Sequence, residues 1–410
     1  MRATQSVDVL VVGGGVVGMS LALELQARGR QVLLVDRDRL GSGSTSRNAG
    51  GIRHQFYQDA NIRASTATVE ILRAFHETHG VDIGFRQVGY LLMFCTEAQR
   101  ARLQEGVDRQ NALGVDTRMV SVDDIAGIAP DVDCDGLLGA CFGPQDGYFD
   151  PPSLAEGLRT AVLRAGVTVS EGTAVTGIEA SGDRVGAVVT DQGCIAVDTV
   201  VNATGAWAPA LAALYGETLP IAPRRSQVFV MEGGASVLSP DLPHTFDTQS
   251  RFYIRRNGLA LWSGAAFKPF LDQAPATQDL APDWAEARLL AERVGRRVPA
   301  LAGRSFTRAW AGVIEVTADD NPIVGFEHFA NMYVAAGFSG HGMCVGPGLA
   351  PSLAAEICGD VPVIGLDDFR LARFAAGVTK GEGLWLKERP SRFEEWAAEV
   401  EPVVAVGEAR

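Results

Sequence analysis

The sequence predicts an α/β fold, and three observations near its start carry that reading. Residues 7–12 form a short, almost wholly apolar run, as expected of a parallel strand covered on both faces. A glycine cluster, Gly13-Gly14-Gly15-Val16-Val17-Gly18, follows, and then apolar residues at helical spacing, Val17, Leu21 and Leu25, up to Gly29. Residues 31–36 (QVLLVD) give a second strand. Strand, helix and strand within about 30 residues make a βαβ unit.

In that context the spacing Gly13-x-Gly15-x-x-Gly18 has a physical meaning. Gly13 permits the tight turn, Gly15 lets a pyrophosphate approach the backbone, and Gly18 lets helix and strand pack closely. Free N–H groups and the positive helix end then face the phosphates. Asp36 ends the second strand, where a carboxylate accepts hydrogen bonds from an adenosine ribose and disfavours a 2′-phosphate. The expected ligand is a dinucleotide other than NADP.

A chain of 410 residues has room for two domains. Its net charge of −13 argues against a nucleic-acid or anionic-membrane surface. The six cysteines show no CxxC pair and no metal-ligand spacing, so reduced thiols and no metal site are expected. No apolar run reaches the length of a membrane span, and the apolar start is broken by glycines without a cleavage site. A cytoplasmic protein without integral membrane association is the expectation.

Further along, residues 41–51 (GSGSTSRNAGG) form a loop of glycines and small hydroxyls. Helices are expected at 59–80, 97–114, 151–165 and 283–298, with Leu72, Phe75 and Leu103 as core residues. Short strands fill 167–203, strand character returns over 224–264, and the charged residues from about 380 read as a helix with a frayed tail. A strand at 331–336 runs into a second glycine-rich turn, Gly337-Phe338-Ser339-Gly340-His341-Gly342, before an apolar helix. Two such junctions favour FAD over NAD. The second helix can turn its positive end to the flavin pyrimidine and stabilise the charge of reduced flavin.

The segments VVGGGVVG, STSRNAGGIR, NATGAW, WAGVIEVTADDNPIVG and GFSGHGM, in this order across most of residues 7–375, resemble the D-amino acid oxidase and glycine/sarcosine oxidase family of flavoproteins. The resemblance implies a Rossmann-like FAD-binding domain assembled from residues 1–84, 150–222 and 300–375. It also implies a substrate domain with a mixed or antiparallel β-sheet from 85–149 and 223–299, and leaves 376–410 as a C-terminal extension. By motif position, Gly13, Gly15, Val17, Gly18, Asp36 and Arg37 would hold the adenosine and pyrophosphate. Ser44, Thr45, Arg47, Asn48, Gly50 and Gly51 would line the ribityl and flavin side, and Val175 the adenine end. Ala203, Thr204, Gly205 and Trp207 would back the phosphates, while Gly337, Phe338, Ser339, Gly340, His341, Gly342 and Met343 would cover the flavin.

Four positions depart from the family pattern. Where some monomeric sarcosine oxidases attach flavin through cysteine, this chain has Gly312, so a noncovalent FAD contacting Gly312 is expected. Ile314 stands where glycine oxidases carry arginine and monomeric sarcosine oxidases tyrosine, on the substrate side. Cys344 replaces a lysine that follows the glycine-rich turn, and Trp262 replaces the lysine that activates oxygen. Arg53, in GGIRHQF, matches the carboxylate-binding arginine, whose fork suits both carboxylate oxygens; the alternative is a structural salt bridge. Tyr253 either reaches the substrate or is a core tyrosine with a satisfied hydroxyl. His341 reads as a flavin contact, His54 ranks behind it, and no catalytic acid or base stands out.

The expected activity is FAD-dependent oxidation of a small-molecule amine or amino acid, of secondary, N-alkyl or D-amino acid type. Hydride would pass to the flavin, and the resulting imine would hydrolyse. Two alternatives stay open: a 2-hydroxy acid dehydrogenase, and a flavoprotein subunit of a sarcosine or proline dehydrogenase-like complex. The chain could act alone, as a homo-oligomer or in a hetero-complex, with O₂, a quinone or an electron-transfer protein as acceptor. Oxygen reduction passes through superoxide, which a fixed positive charge stabilises. Trp262 in place of lysine therefore favours a dehydrogenase, with Lys268, six residues on, read as solvated.

Overall fold

The computed structural model describes residues 5–265, 271, 273–277, 280–377 and 381–382. Lys268 and almost all of the expected C-terminal extension lie outside the described residues.

Two eight-stranded sheets organise the chain. The first has the order Ile323–Phe326, Met332–Ala336, Gly193–Asn202, Gln5–Val12, Val32–Asp36, Thr168–Glu171. Its inner pairings are parallel; Ile323–Phe326 and the meander Val175–Ser181 and Arg184–Thr190 are antiparallel. Gln5–Val12 lies at the centre with core on both faces: Val9 and Val11 pack into one cluster, Val7, Leu10 and Val12 into another. That double burial is why its sequence shows no alternation.

Glycines govern how the helices meet. The Gly342–Ile357 helix lies between Val16–Ala27 and Asp59–His79. A Cβ on Gly348 would fall 2.0 Å from the Ala64 carbonyl oxygen, and one on Gly346 3.1 Å from the Val17 side chain. Close backbone approach thus brings the N-terminus of this helix beside that of Val16–Ala27, at one end of the parallel strands.

The second sheet has the order Arg308–Val316, Ala222–Met231, Ala260–Ala265, Phe252–Asn257, His244–Asp247, Tyr90–Phe94, Gly139–Gly143, Arg118–Val120. It is mixed, because His244–Asp247 pairs in parallel with Tyr90–Phe94 while the other ladders are antiparallel. Alternation sorts its faces. Phe229, Phe252 and Ile254 point into a core with Leu290 and Val294 of the Trp284–Arg297 helix. Arg255 and Trp262 face the other way, toward Ala49 in the 41–51 loop. Arg308–Val316, which falls within the segment expected to belong to the FAD-binding domain, pairs along its length with Ala222–Met231, so this strand is part of the second sheet. Its isolated motif gave no sign of a partner more than 80 residues upstream. All six cysteines are unpaired thiols, and no described helix is long and apolar enough to cross a membrane.

Candidate cofactor and active site

The first turn shows what each glycine does. Gly13 has φ 108°, and a Cβ there would lie 2.4 Å from the Ala203 carbonyl oxygen. A Cβ on Gly18 would lie 1.9 Å from the Gly13 carbonyl oxygen, so Gly18 serves turn and helix packing. A Cβ on Gly15 would meet only Thr45 Oγ1, at 3.4 Å. The Val16–Ala27 helix then starts with no side-chain cap and no acid in its first turn, except that Val16 N–H donates to Thr45 Oγ1 at 2.9 Å. Asp36 accepts from Gly14 N–H at 2.7 Å and Asp38 N–H at 2.8 Å. Burial raises its carboxyl above the ordinary aspartate value, and those two N–H groups partly offset it.

A cavity of about 480 Å³ opens on this turn. Of the residues expected around a cofactor, Gly13, Gly15, Val17, Asp36, Arg37, Ser44, Thr45, Asn48, Val175, Ala203, Thr204, Gly205, Trp207, Gly340, Gly342 and Met343 line it. So does Ile314, expected on the substrate side, together with Gly14 and Glu315, which sequence reasoning missed. Its walls suit an anionic, extended dinucleotide. Two helix N-termini without side-chain caps border it, and Arg37, 4.4 Å over the Trp207 ring, keeps a buried Nη2 without a partner.

The other expected cofactor residues stand behind this wall. Arg47 clamps the loop to the second sheet, donating to the Ser42 and Ala311 carbonyls, each at 3.3 Å. Gly312 makes room for it, since a Cβ there would lie 3.1 Å from Arg47 Cβ. Gly50 (φ 71°) passes under the Phe149 carbonyl, Gly51 lies against His244, and Gly337 lies against the Thr317 methyl. Phe338 is buried core, and Ser339 Oγ lies 3.2 Å from Thr317 Oγ1. His341 turns toward Arg53.

Arg53 is 7% exposed. Its guanidinium donates to the Gln55 carbonyl, lies 3.2 Å from His341 Nε2, and stacks 4.3 Å from the Phe56 ring. Among the described residues no carboxylate pairs with it, so the salt-bridge alternative finds no partner. Burial first, and then the Arg53 charge, pull the His341 imidazole down to about 3, so it is neutral and can accept from Arg53. His54 is held by the buried Asp146 carboxylate, Nδ1 to Oδ1 2.5 Å. Tyr253 stacks 5.3 Å from His244, which stacks 4.2 Å from Tyr90. Burial raises both tyrosines above 10 and holds His244 well below 6.5.

A cation that the sequence reading did not name stands beside Trp262: Arg255, its cross-strand partner, sits 4.0 Å over its ring. Arg255 is fully buried, donates to the Ala49 and Arg256 carbonyls, and stacks 4.8 Å from Tyr148. Burial lowers it to about 10, so it stays a cation at neutral pH. From the expected extension, Glu382 is placed and buried, accepting from Tyr57 and Gln58 N–H at the start of the Asp59–His79 helix.

The family model described as FAD dependent oxidoreductase, DAO, matches residues 8–356. The chain belongs to this family. Among its relatives, FAD-dependent oxidoreductase domain-containing protein 1 of Bos taurus is 30% identical, covering 90% of this chain and 85% of that one. The 4-methylaminobutanoate oxidase (formaldehyde-forming) of Paenarthrobacter nicotinovorans is 28% identical over 87% of this chain, which spans only 44% of that protein's length. Among solved structures, L-proline dehydrogenase from P. horikoshii superposes with a TM-score of 0.84 at 28% identity, over 92% of this chain and 100% of that one.

Proposed function

We propose that this DAO family protein binds FAD noncovalently and oxidises a secondary or N-alkylated amino acid. The observation that carries the reading is Arg53, a buried guanidinium without a carboxylate partner among the described residues, set beside neutral His341 at the Gly340–Met343 end of the cavity. Two relatives are named for 4-methylaminobutanoate and L-proline, each a secondary amine that bears a carboxylate.

FAD, when bound, supplies the two-electron acceptor that takes hydride from the C–H beside nitrogen, leaving an imine that water hydrolyses. Arg53 would hold the carboxylate and fix the angle at which that C–H is presented. The Tyr90–His244–Tyr253 stack, adjoining Gly51, would form the apolar wall. Because burial keeps His244 and His341 neutral, neither is a strong base, and the substrate would react as the free amine.

Anaerobic mixing with a panel of secondary amino acids, primary D-amino acids, simple amines and 2-hydroxy acids tests this. Carboxylated secondary amines are expected to bleach the flavin fastest; bleaching by hydroxy acids alone would overturn the reading. Acid denaturation is expected to leave the flavin in the supernatant, since Gly312 offers no thiol, and flavin precipitating with the polypeptide would refute noncovalent binding.

We also propose a quinone, dye or electron-transfer protein rather than O₂ as acceptor. Arg255 donates to two carbonyls and stacks on two rings, with its Nη2 buried without a partner, and it does not line the cavity. Stopped-flow reoxidation should be slow in air-saturated buffer and fast with dye, and Trp262→Lys should raise the oxygen rate. Equal rates in the unmodified protein would make it an oxidase.

A further inference from the structure

Glu315 has no role in the chemistry above, yet its carboxylate enters the cofactor cavity. It lines that cavity beside Gly205, where an added Cβ would lie 3.3 Å from Glu315 Oε2. Glu315 is partly exposed, at the wall of that cavity. No cation pairs with it among the described residues; the Phe338 N–H and its own N–H are the groups that favour its charge.

None of the charged groups around it is among those that shift its carboxyl, although Arg225 Nε and Arg37 Nη2 are buried without a hydrogen-bond partner. The paired strand Ala222–Met231 brings Arg224 and Arg225 opposite Ile314 and Val313, and neither bonds Glu315. On its own strand, Arg308 pairs with Glu232. The turn at 337–342 contributes neutral His341, and Gly205–Trp207 has no ionisable side chain. Just beyond the strand Asp319 is bound by Arg373, and elsewhere on the cavity wall stand Asp36, Arg37 and Asp38, with Arg37 paired to Asp38.

An ionised carboxylate here would share the cavity with the anionic diphosphate of FAD, like charges on one wall, and among the described residues no cation pairs with it to offset them. We propose that Glu315 is a cofactor-positioning residue that enters the FAD complex as the neutral acid, so that binding FAD takes up one proton. The inference rests on the noncovalent FAD reading. Burial already pushes the free carboxyl up to about 7, and a bound anion that expels water moves it further the same way. The sign follows from linkage: FAD affinity is full where Glu315 is already protonated and falls as pH rises through its free value, by about tenfold per pH unit.

The test is titration of the full-chain apoprotein with FAD between roughly pH 6 and pH 9, read by flavin fluorescence, alongside proton uptake in weakly buffered indicator dye. The unmodified protein is expected to lose about tenfold in affinity per unit above pH 7 and to take up about one proton per FAD near pH 8. Glu315→Gln, neutral at every pH, should bind with little pH dependence and without proton uptake. A flat affinity in the unmodified protein, or the same slope in Glu315→Gln, overturns the proposal. Should that variant not fold, the slope and proton count of the unmodified protein decide alone. An apoprotein that binds no FAD at any pH is a different result, and overturns the noncovalent reading together with this inference.

Discussion

Gly15→Val is expected to yield a folded protein that carries no flavin. Gly15 has φ −77°, which valine adopts without strain, and an added Cβ meets only Thr45 Oγ1 at 3.4 Å, an ordinary contact. The isopropyl group would therefore be accommodated by the fold and would project into the cavity where the pyrophosphate must approach backbone. Charge-assisted hydrogen bonds contribute about 1.5–3 kcal/mol each, so losing two or more weakens FAD by at least about a hundredfold. The neighbouring glycines give the contrast. Gly13 combines φ 108° with a 2.4 Å approach to Ala203, and Gly18 lies 1.9 Å from Gly13, so valine at either position should damage folding itself. The ratio of flavin to protein absorbance, with a thermal melt on the same samples, separates the two classes. Wild-type flavin content in Gly15→Val would remove the turn from the binding site.

What could be read from the sequence follows the range of the interactions. The first βαβ unit was legible because its constraints are local: a buried strand, a positive φ at Gly13 and a close approach at Gly18, all within one short segment. The strand order of the second sheet was not, because Tyr90–Phe94 finds partners at His244–Asp247 and Gly139–Gly143, and an apolar run such as YLLMF carries no record of that register. The site divides the same way. Asp36 and the lining glycines belong to local motifs, whereas Gly50 and Gly51 take meaning only from Phe149 and His244 far along the chain. Arg255 alternates visibly with Tyr253 in RFYIRR, but its place over Trp262 depends on strand pairing. Glu315 stood inside the motif WAGVIEV, while the lack of a paired cation among the described residues is a three-dimensional fact.

Arg53→Met is the decisive substitution for the substrate end of the cavity. Arg53 does not line the cofactor cavity, so FAD should be retained. Methionine can keep the contact with the Phe56 ring while the charge and the bonds to Gln55 and His341 are lost. Removing one side of a buried charge-assisted contact costs about 2–5 kcal/mol, so binding of a carboxylated substrate should weaken by tens to thousands of fold. Loss of the neighbouring cation also lets His341 rise, but burial is the larger cause of its depression, so the imidazole should remain neutral at pH 7 and the pH profile near neutrality should not acquire a new limb. The control is the methyl ester of the best substrate, which presents no carboxylate. If Arg53 holds that group, the ester should bind both proteins about equally, whereas the acid should discriminate between them. Equal losses for acid and ester would assign Arg53 to holding the Gln55 carbonyl and His341 in place, and undiminished turnover at low concentrations of the acid would take it out of the substrate site.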